Sequence, residues 1–581
     1  MGVARLAVAL TLAVLTLTTL IAPPAIAEPV AAVGEAGPPD GIEAGSEKPN
    51  DGLRIALGAI FALLLVLLSA KMVSRERGAA ALSPRVKLAL ALLLFLAALL
   101  RGVVVPHAPI KENDHGPHEI AAYLDGHMYT GYFRLQGEAA RVFFWIMSRP
   151  LPRPTTVLFI NALLGALLVP LAFALIWALT ERAGAALFAA SAVAFSPWLA
   201  RVAGSESPYV LFCVLLSLAL FSAIRFVQYG RVLDLALATV ATVPAMNIRA
   251  ETLPLLLLLP MTLALVGRRT RRPLPWGATG LFVVAGGAAL LPRIVTIWQS
   301  LTTQAMAPKG DHFMEALSAL TSASSCLLWD PKLLLPLVPA SAALGFVALL
   351  VTRPRESALL PAWFLIGALI WLPYHNSTTE AFRLQANMLL PLLLLTGVAL
   401  EGVRRAVAPG RPRQAVTVLF VLVLAAQPLL AFDSLEWRRD PQVAWEQSRH
   451  AARRLAEDPP GLPILLAHLD SPAGQGRIIT APPTNLFEAA GLIVAPMPAS
   501  ELLALQALPD DKITLFYRGA SCYRFDREPP PEVVERDLCR DVLSRFKATP
   551  IAATTVESRP DGRFLVPADT VTMGVYRLSP R

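Results

Sequence analysis

Charge is scarce in this chain. Only 16% of its 581 residues are Asp, Glu, Lys or Arg, against 55% that are hydrophobic. That balance excludes a water-soluble globular protein for most of the length. The basic surplus of +9 at pH 7 falls in short loops between apolar runs, where it orients helices rather than binds nucleic acid. No internal repeat of the kind that marks duplicated transporter halves is visible. Residues 433–581 carry neither a glycine-rich phosphate loop nor a metal-ligand spacing.

What is present is a series of apolar runs of about 20 residues, each long enough to cross ~30 Å of hydrocarbon. They predict spans near 53–70, 86–105, 156–179, 184–200, 208–227, 233–247, 252–266, 276–298, 333–352, 358–374, 386–402 and 415–432. Ahead of them, residues 1–27 read as a signal peptide (or an uncleaved first helix), with Arg5, an apolar core and Ala25-Ile26-Ala27. Residues 28–52 are rich in Pro, Gly and Ala without periodicity, a flexible linker. The expected fold is a polytopic α-helical membrane protein with about twelve spans over 53–432. An extracytoplasmic α/β domain is expected over 433–581, where short apolar runs alternate with helix-like segments.

The loops sort by charge. One set carries Lys71, Arg75, Arg85, Arg182, Arg225, Arg231, Arg268, Arg269, Arg353, Arg355, Arg404, Arg405, Arg411 and Arg413; the positive-inside rule makes it cytoplasmic. The alternate set holds every loop with unusual polar chemistry, which then faces out of the cytoplasm. The densest is PHAPIKENDHGPHEIAAYLDGHMYTGYFR, residues 106–134. It brings Glu112, Asp114, His115, His118, Glu119, Asp125 and His127 together between two apolar runs. Lipid cannot host such a cluster, so it belongs at the water boundary or in a cavity. A carboxylate held at an apolar boundary is desolvated and becomes a usable general base near neutral pH. Glu112, Asp114 and His115 could also share a divalent cation, or be ordinary solvated charges. The stretch after them, with Tyr123, Tyr129, Tyr132 and Phe133, predicts an amphipathic helix lying in the interface.

Further along the same face stand Glu206 in SPWLARVAGSESP, Arg249 and Glu251 in NIRAE, and Tyr374, His375 and Arg383 in YHNSTTEAFRLQ. Arg249 would either hold a phosphate or pair with Glu251 or Glu206. Arg383 would bind phosphate through its planar fork, or snorkel to headgroups.

With these residues in hand, the sequence resembles the GT-C superfamily of polytopic glycosyltransferases, which includes protein mannosyltransferases and aminoarabinose transferases, over roughly residues 86–405. The resemblance rests on an acidic residue in the first outer loop (Asp114, with Glu112 beside it), the turn from Ser196-Pro197 to Glu206, Arg249-Ala250-Glu251, and Arg383 ahead of a leucine-rich span with Pro391. Family members carry a tyrosine soon after the acidic residue; here Tyr123 follows Asp114 at a distance that leaves Glu112 and Glu119 as alternatives. The resemblance implies an inverting transfer of a hexosyl or pentosyl group from a polyprenyl-phosphate donor to a lipid, glycan or protein acceptor. Asp114 would be the base, and Arg249 and Arg383 would stabilise the leaving phosphate. A cleavable signal together with a disulfide-permitting outer face fits a bacterial inner membrane as the setting. The rival readings are a transporter or flippase and a surface-polysaccharide polymerase or ligase.

Cys522 and Cys539 fall in the outer domain and predict a disulfide. Cys213 and Cys326 read as packed residues in or near spans.

Overall fold

The computed structural model describes residues 59–61, 63–64, 67–68, 82–105, 107, 119–120, 123–124, 138–270, 273–302, 328, 334–353, 355–371, 385–431, 440–459, 461–468, 484–488, 490–519, 538–557 and 570–581. Its helices follow the apolar runs. α1 is Pro84–Leu99, capped by the Ser83 hydroxyl, which accepts from the Val86 amide. It continues as a π turn, Leu100–Val104. α2 is Glu138–Ser148, α3 Pro154–Thr180, α4 Ala183–Ala194 and α5 Pro197–Ala203. α6 is Tyr209–Tyr229 and α7 Val232–Met246; a 3-10 stretch, Ala250–Leu257, then leads into α8, Leu258–Leu265. α9 is Trp276–Thr302, α10 Leu337–Thr352, α11 Leu359–Trp371, α12 Ala386–Ala406 and α13 Arg411–Ala431. Among the described residues six helices are long and apolar enough to cross a membrane, seven if the bent α4–α5 pair is one span.

That pair corrects an expectation. The run 184–200 is predicted as one span, and the helix within it breaks at Phe195-Ser196 and turns by 57°. Pro197 is the physical reason: it cannot continue a helix from upstream, but it suits the first turn of a new one. Ser196 caps that new start by accepting from the Leu199 amide at 3.4 Å.

α6 and α12 are almost wholly buried and form the centre of the bundle, while α1 and α13 show lipid-type surfaces such as Leu88, Leu92, Phe95 and Leu422. Close approach of the inner helices needs residues without a Cβ. A Cβ at Gly345 of α10 would stand 2.0 Å from the Leu395 carbonyl oxygen, and one at Gly397 of α12 would stand 2.3 Å from the Ala189 amide nitrogen.

The described parts of the two sets of loops lie at opposite ends of α3. At one end Arg269 donates to the Ala178 carbonyl (2.7 Å) and pairs with Glu181, which Arg353 also approaches. Glu401 there accepts from Arg404 and Arg405, 2.6 Å each, against Gly184. These are the arginine-rich loops. The Ser205–Ser207 turn, held by Asn161 of α3, lies at the opposite end.

After the bundle come α14 (Asp440–Glu457), β1 (Ile464–His468), α15 (Thr484–Glu488), β2 (Val494–Pro498), α16 (Ala499–Ala504), β3 (Ile513–Arg518), α17 (Leu538–Arg545), β4 (Lys547–Glu557) and β5 (Thr570–Ser579). They form one five-stranded sheet in the order β2-β1-β3-β5-β4, parallel among the first three strands and antiparallel among the rest. This is the expected α/β layer domain. β4 had no sequence signal, because KATPIAATTVE lacks a clear alternation and carries Pro550, where the ladder with β5 has a register shift. Cys539, on α17, is buried and disulfide-bonded; Cys522 lies outside the described residues.

Candidate active site at the polar end of the bundle

The site is built around α3. Asn161, buried near its start, donates to the Ser205 carbonyl (2.7 Å) and the Ser207 carbonyl (2.9 Å), so the turn bearing Glu206 is tied to α3. Glu206 itself is fully buried, as is Arg201 one turn earlier, and the two charges interact. A buried carboxylate beside a buried guanidinium satisfies the requirement that charge inside a membrane domain be paired.

Immediately after the turn, α6 opens with Tyr209, whose ring lies under the Arg249 guanidinium at 5.5 Å. Arg249 sits in an extended residue just before the 3-10 stretch, and Thr252 closes that turn by donating to its carbonyl at 2.6 Å. So the SESP and NIRAE stretches meet across Tyr209. Arg249 is buried and shows the electropositive fork that phosphate oxygens select.

The first loop joins them. The Ala139 amide at the start of α2 donates to the Asn247 carbonyl at the end of α7, 3.2 Å away. Against α2 packs the described part of the loop, where the Tyr123 ring stacks on Phe144 with centroids 4.8 Å apart. The Tyr123 hydroxyl donates to Glu119 at 2.8 Å, and both residues are buried. This corrects the placing of Tyr123 on a helix lying in the interface: its ring is buried in the protein and its hydroxyl holds a carboxylate. The signal in the sequence was the four-residue spacing, which on one helical turn brings Glu119 and Tyr123 face to face. Arg141, paired with Glu138 and buried on α2, was also missed.

The structure thus brings Glu206 and Arg249 to one end with the first loop. Glu112, Asp114, His115, Tyr374, His375 and Arg383 lie outside the described residues, as do Tyr129, Tyr132 and Phe133, and so does the side chain of Glu251. No group of three His, Cys, Asp or Glu side chains suited to a metal occurs among the described residues. Cys213 is buried and donates weakly to Asn387 Oδ1 at 3.7 Å, a packed thiol as expected; Cys326 lies outside the described residues.

Fold and site together define a polytopic membrane protein with buried ionisable groups at one end and an α/β domain after the bundle. No protein-family model and no curated protein matches the sequence. Solved structures do. The chain is similar to ArnT from Cupriavidus metallidurans bound to undecaprenyl phosphate, at 13% identity over 86% of this chain and 98% of that one, TM-score 0.47. The same enzyme in the apo state gives 11% identity over 84% and 98%, TM-score 0.49. The arabinofuranosyltransferase AftD from Mycobacteria gives 16% over 86% of this chain and 40% of that one, TM-score 0.45.

Proposed function

We propose that this protein is an inverting membrane glycosyltransferase that moves a sugar from a polyprenyl-phosphate donor to a lipid, glycan or protein acceptor on the extracytoplasmic face of an inner membrane. One observation carries the reading. Three stretches far apart in sequence, the first loop, the Glu206 turn and the Arg249 turn, converge at one end of an apolar bundle, and each brings a buried ionisable side chain. Lipid-linked phosphate substrates carry their reacting centre beside a prenyl tail that stays in hydrocarbon.

In this reading a first-loop carboxylate takes the proton from the acceptor hydroxyl or amine as its oxygen or nitrogen attacks the anomeric carbon. The bond from that carbon to the phosphate oxygen breaks, and its electron pair leaves on the polyprenyl phosphate. The base is Asp114, with Glu112 and His115 beside it; Glu119 is the alternative, since Tyr123 already orients its carboxylate. Arg249 and Arg383 stabilise the phosphate, which needs positive charge more than a proton. Glu206 and Glu251 orient the arginines, while Tyr374 and His375 contact the sugar. A divalent cation at Glu112, Asp114 and His115 would add to the positive charge on the phosphate.

The test supplies the protein in its native membranes, which carry the acceptor, with polyprenyl-phosphate hexoses and pentoses and measures polyprenyl phosphate released. Wild type should release it with at least one donor, and Arg249→Ala should raise KM for that donor about tenfold or more, as loss of a charge-assisted fork does. Release by neither protein with any donor contradicts the reading and favours a transporter.

A further inference from the structure

Arg101 lies in the π turn that ends the span Pro84–Val104, fully buried. A charged side chain buried in a membrane span is costly and is retained for a reason. Its described partners are all carbonyl oxygens. One guanidinium nitrogen donates to the Ala194 carbonyl at 2.8 Å and more weakly to Ala97, and the other donates to Val193 at 2.8 Å. Val193 and Ala194 are the last two residues of α4, where carbonyls have no helical partner and the helix dipole is negative. The fork therefore caps α4 at the point where the chain breaks and turns by 57° into α5. That break sets where Arg201 and, after it, Glu206 stand.

The backbone of the same residue is tied the other way. Arg101 lies in a π turn in which the Val105 amide donates to the Leu100 carbonyl at 2.9 Å. Such turns inside helices recur at functional sites. The Arg101 carbonyl accepts from His107 Nε2 at 2.8 Å, and the His107 ring meets Phe159 of α3 edge-on. Val105 packs on Ala200 of α5. His107 and Val105 are the root of the first outer loop. Room for the arrangement comes from Gly165, one helical turn beyond Asn161 on α3. A Cβ there would stand 2.4 Å from the Ala203 Cβ and 3.1 Å from Arg101 Cδ.

We infer that Arg101 is a positioning residue: its side chain fixes the α4–α5 break and its carbonyl fixes the root of the first loop, so it sets the two acid-bearing segments in register. The inference rests on the glycosyl-transfer reading only for its kinetic consequence.

The experiment uses the full-length protein in lipid, as wild type, Arg101→Lys, Arg101→Met and His107→Phe. Lysine keeps the charge but replaces the two-pronged fork by a single ammonium. Methionine fills a similar volume without donors. Phenylalanine keeps the ring contact with Phe159 and removes only the donor to Arg101. Amide exchange in residues 195–207 is the first readout. It should rise about tenfold or more in both Arg101 variants, while α6 and α12 exchange as in wild type. In His107→Phe the rise should fall in residues 100–105. The second readout is KM for the polyprenyl-phosphate donor per folded enzyme, which should rise roughly tenfold in Arg101→Lys. A purely structural defect would lower the active fraction and leave KM alone. Local exchange that rises without any sugar transfer by wild type upholds the positioning role and sinks the transferase reading. Exchange unchanged at 195–207, or raised uniformly over the chain, overturns the inference; if the Arg101 variants do not fold, an unchanged 100–105 in His107→Phe does so.

Discussion

Inside a dry bundle a carboxylate persists where donors hold it. Glu119 has such a donor in Tyr123, and Tyr123 is fixed in turn by stacking on Phe144. If Tyr123 orients a working carboxylate, Tyr123→Phe keeps the stack and removes only the hydroxyl. Transfer should then fall about tenfold with little change in thermal stability, as loss of one orienting hydrogen bond does. A rate equal to wild type would make the pair structural. At this scale the sequence was partly legible. Glu206 and Arg249 announced themselves because charge next to a span is expensive. Arg101 did not: one arginine in LLFLAALLRGVVVP looks like a span end, and only the meeting with Val193 and Ala194 from another helix gives it a purpose.

Among the elements, the apolar period marked most helices to within a few residues, because hydrocarbon length dictates their extent. What it could not mark was how closely they pack, since that depends on which face each glycine presents. Gly345 and Gly397 lie where α10 and α4 press on the backbone of α12. Gly345→Leu should therefore lower the unfolding temperature of the protein in detergent clearly, the overpacking costing about 1–3 kcal/mol. Gly402→Leu, with nothing within 4 Å of its Cβ position, should leave it nearly unchanged. Equal effects of the two would remove close helix approach as a determinant. The break in α4–α5 was hidden for a related reason: Ser196-Pro197 inside an apolar run fits either a kinked span or a broken one, and the capped restart decides it.

For the whole molecule, charge sorting of loops is the most informative signal in the sequence. Among the described residues, Arg269, Arg353, Arg404 and Arg405 gather around Glu181 and Glu401 at one end, and the Ser205–Ser207 and Asn247–Arg249 stretches gather around Asn161 and Ala139 at the other. The α/β domain was legible as a class, from alternating short runs, while the antiparallel addition of β4 and β5 was not. Its bonded Cys539 belongs to a helix packed on the sheet through Ala467, Phe516 and Leu578. Reduction, or Cys539→Ser, should cost that domain about 2–5 kcal/mol, read as an earlier and separate unfolding step; a transition unmoved by reductant would mean that the bond adds no stability.

The central claim is that a first-loop carboxylate performs the chemistry. Its most direct test is radiolabelled sugar transfer from polyprenyl-phosphate donors in membranes carrying equal amounts of wild type, Glu112→Gln, Asp114→Asn and Glu119→Gln. The account predicts that wild type transfers label and that one of the three variants, Asp114→Asn first among them, loses it by roughly a hundredfold, as loss of a general base does. Wild-type transfer by all three variants would contradict it.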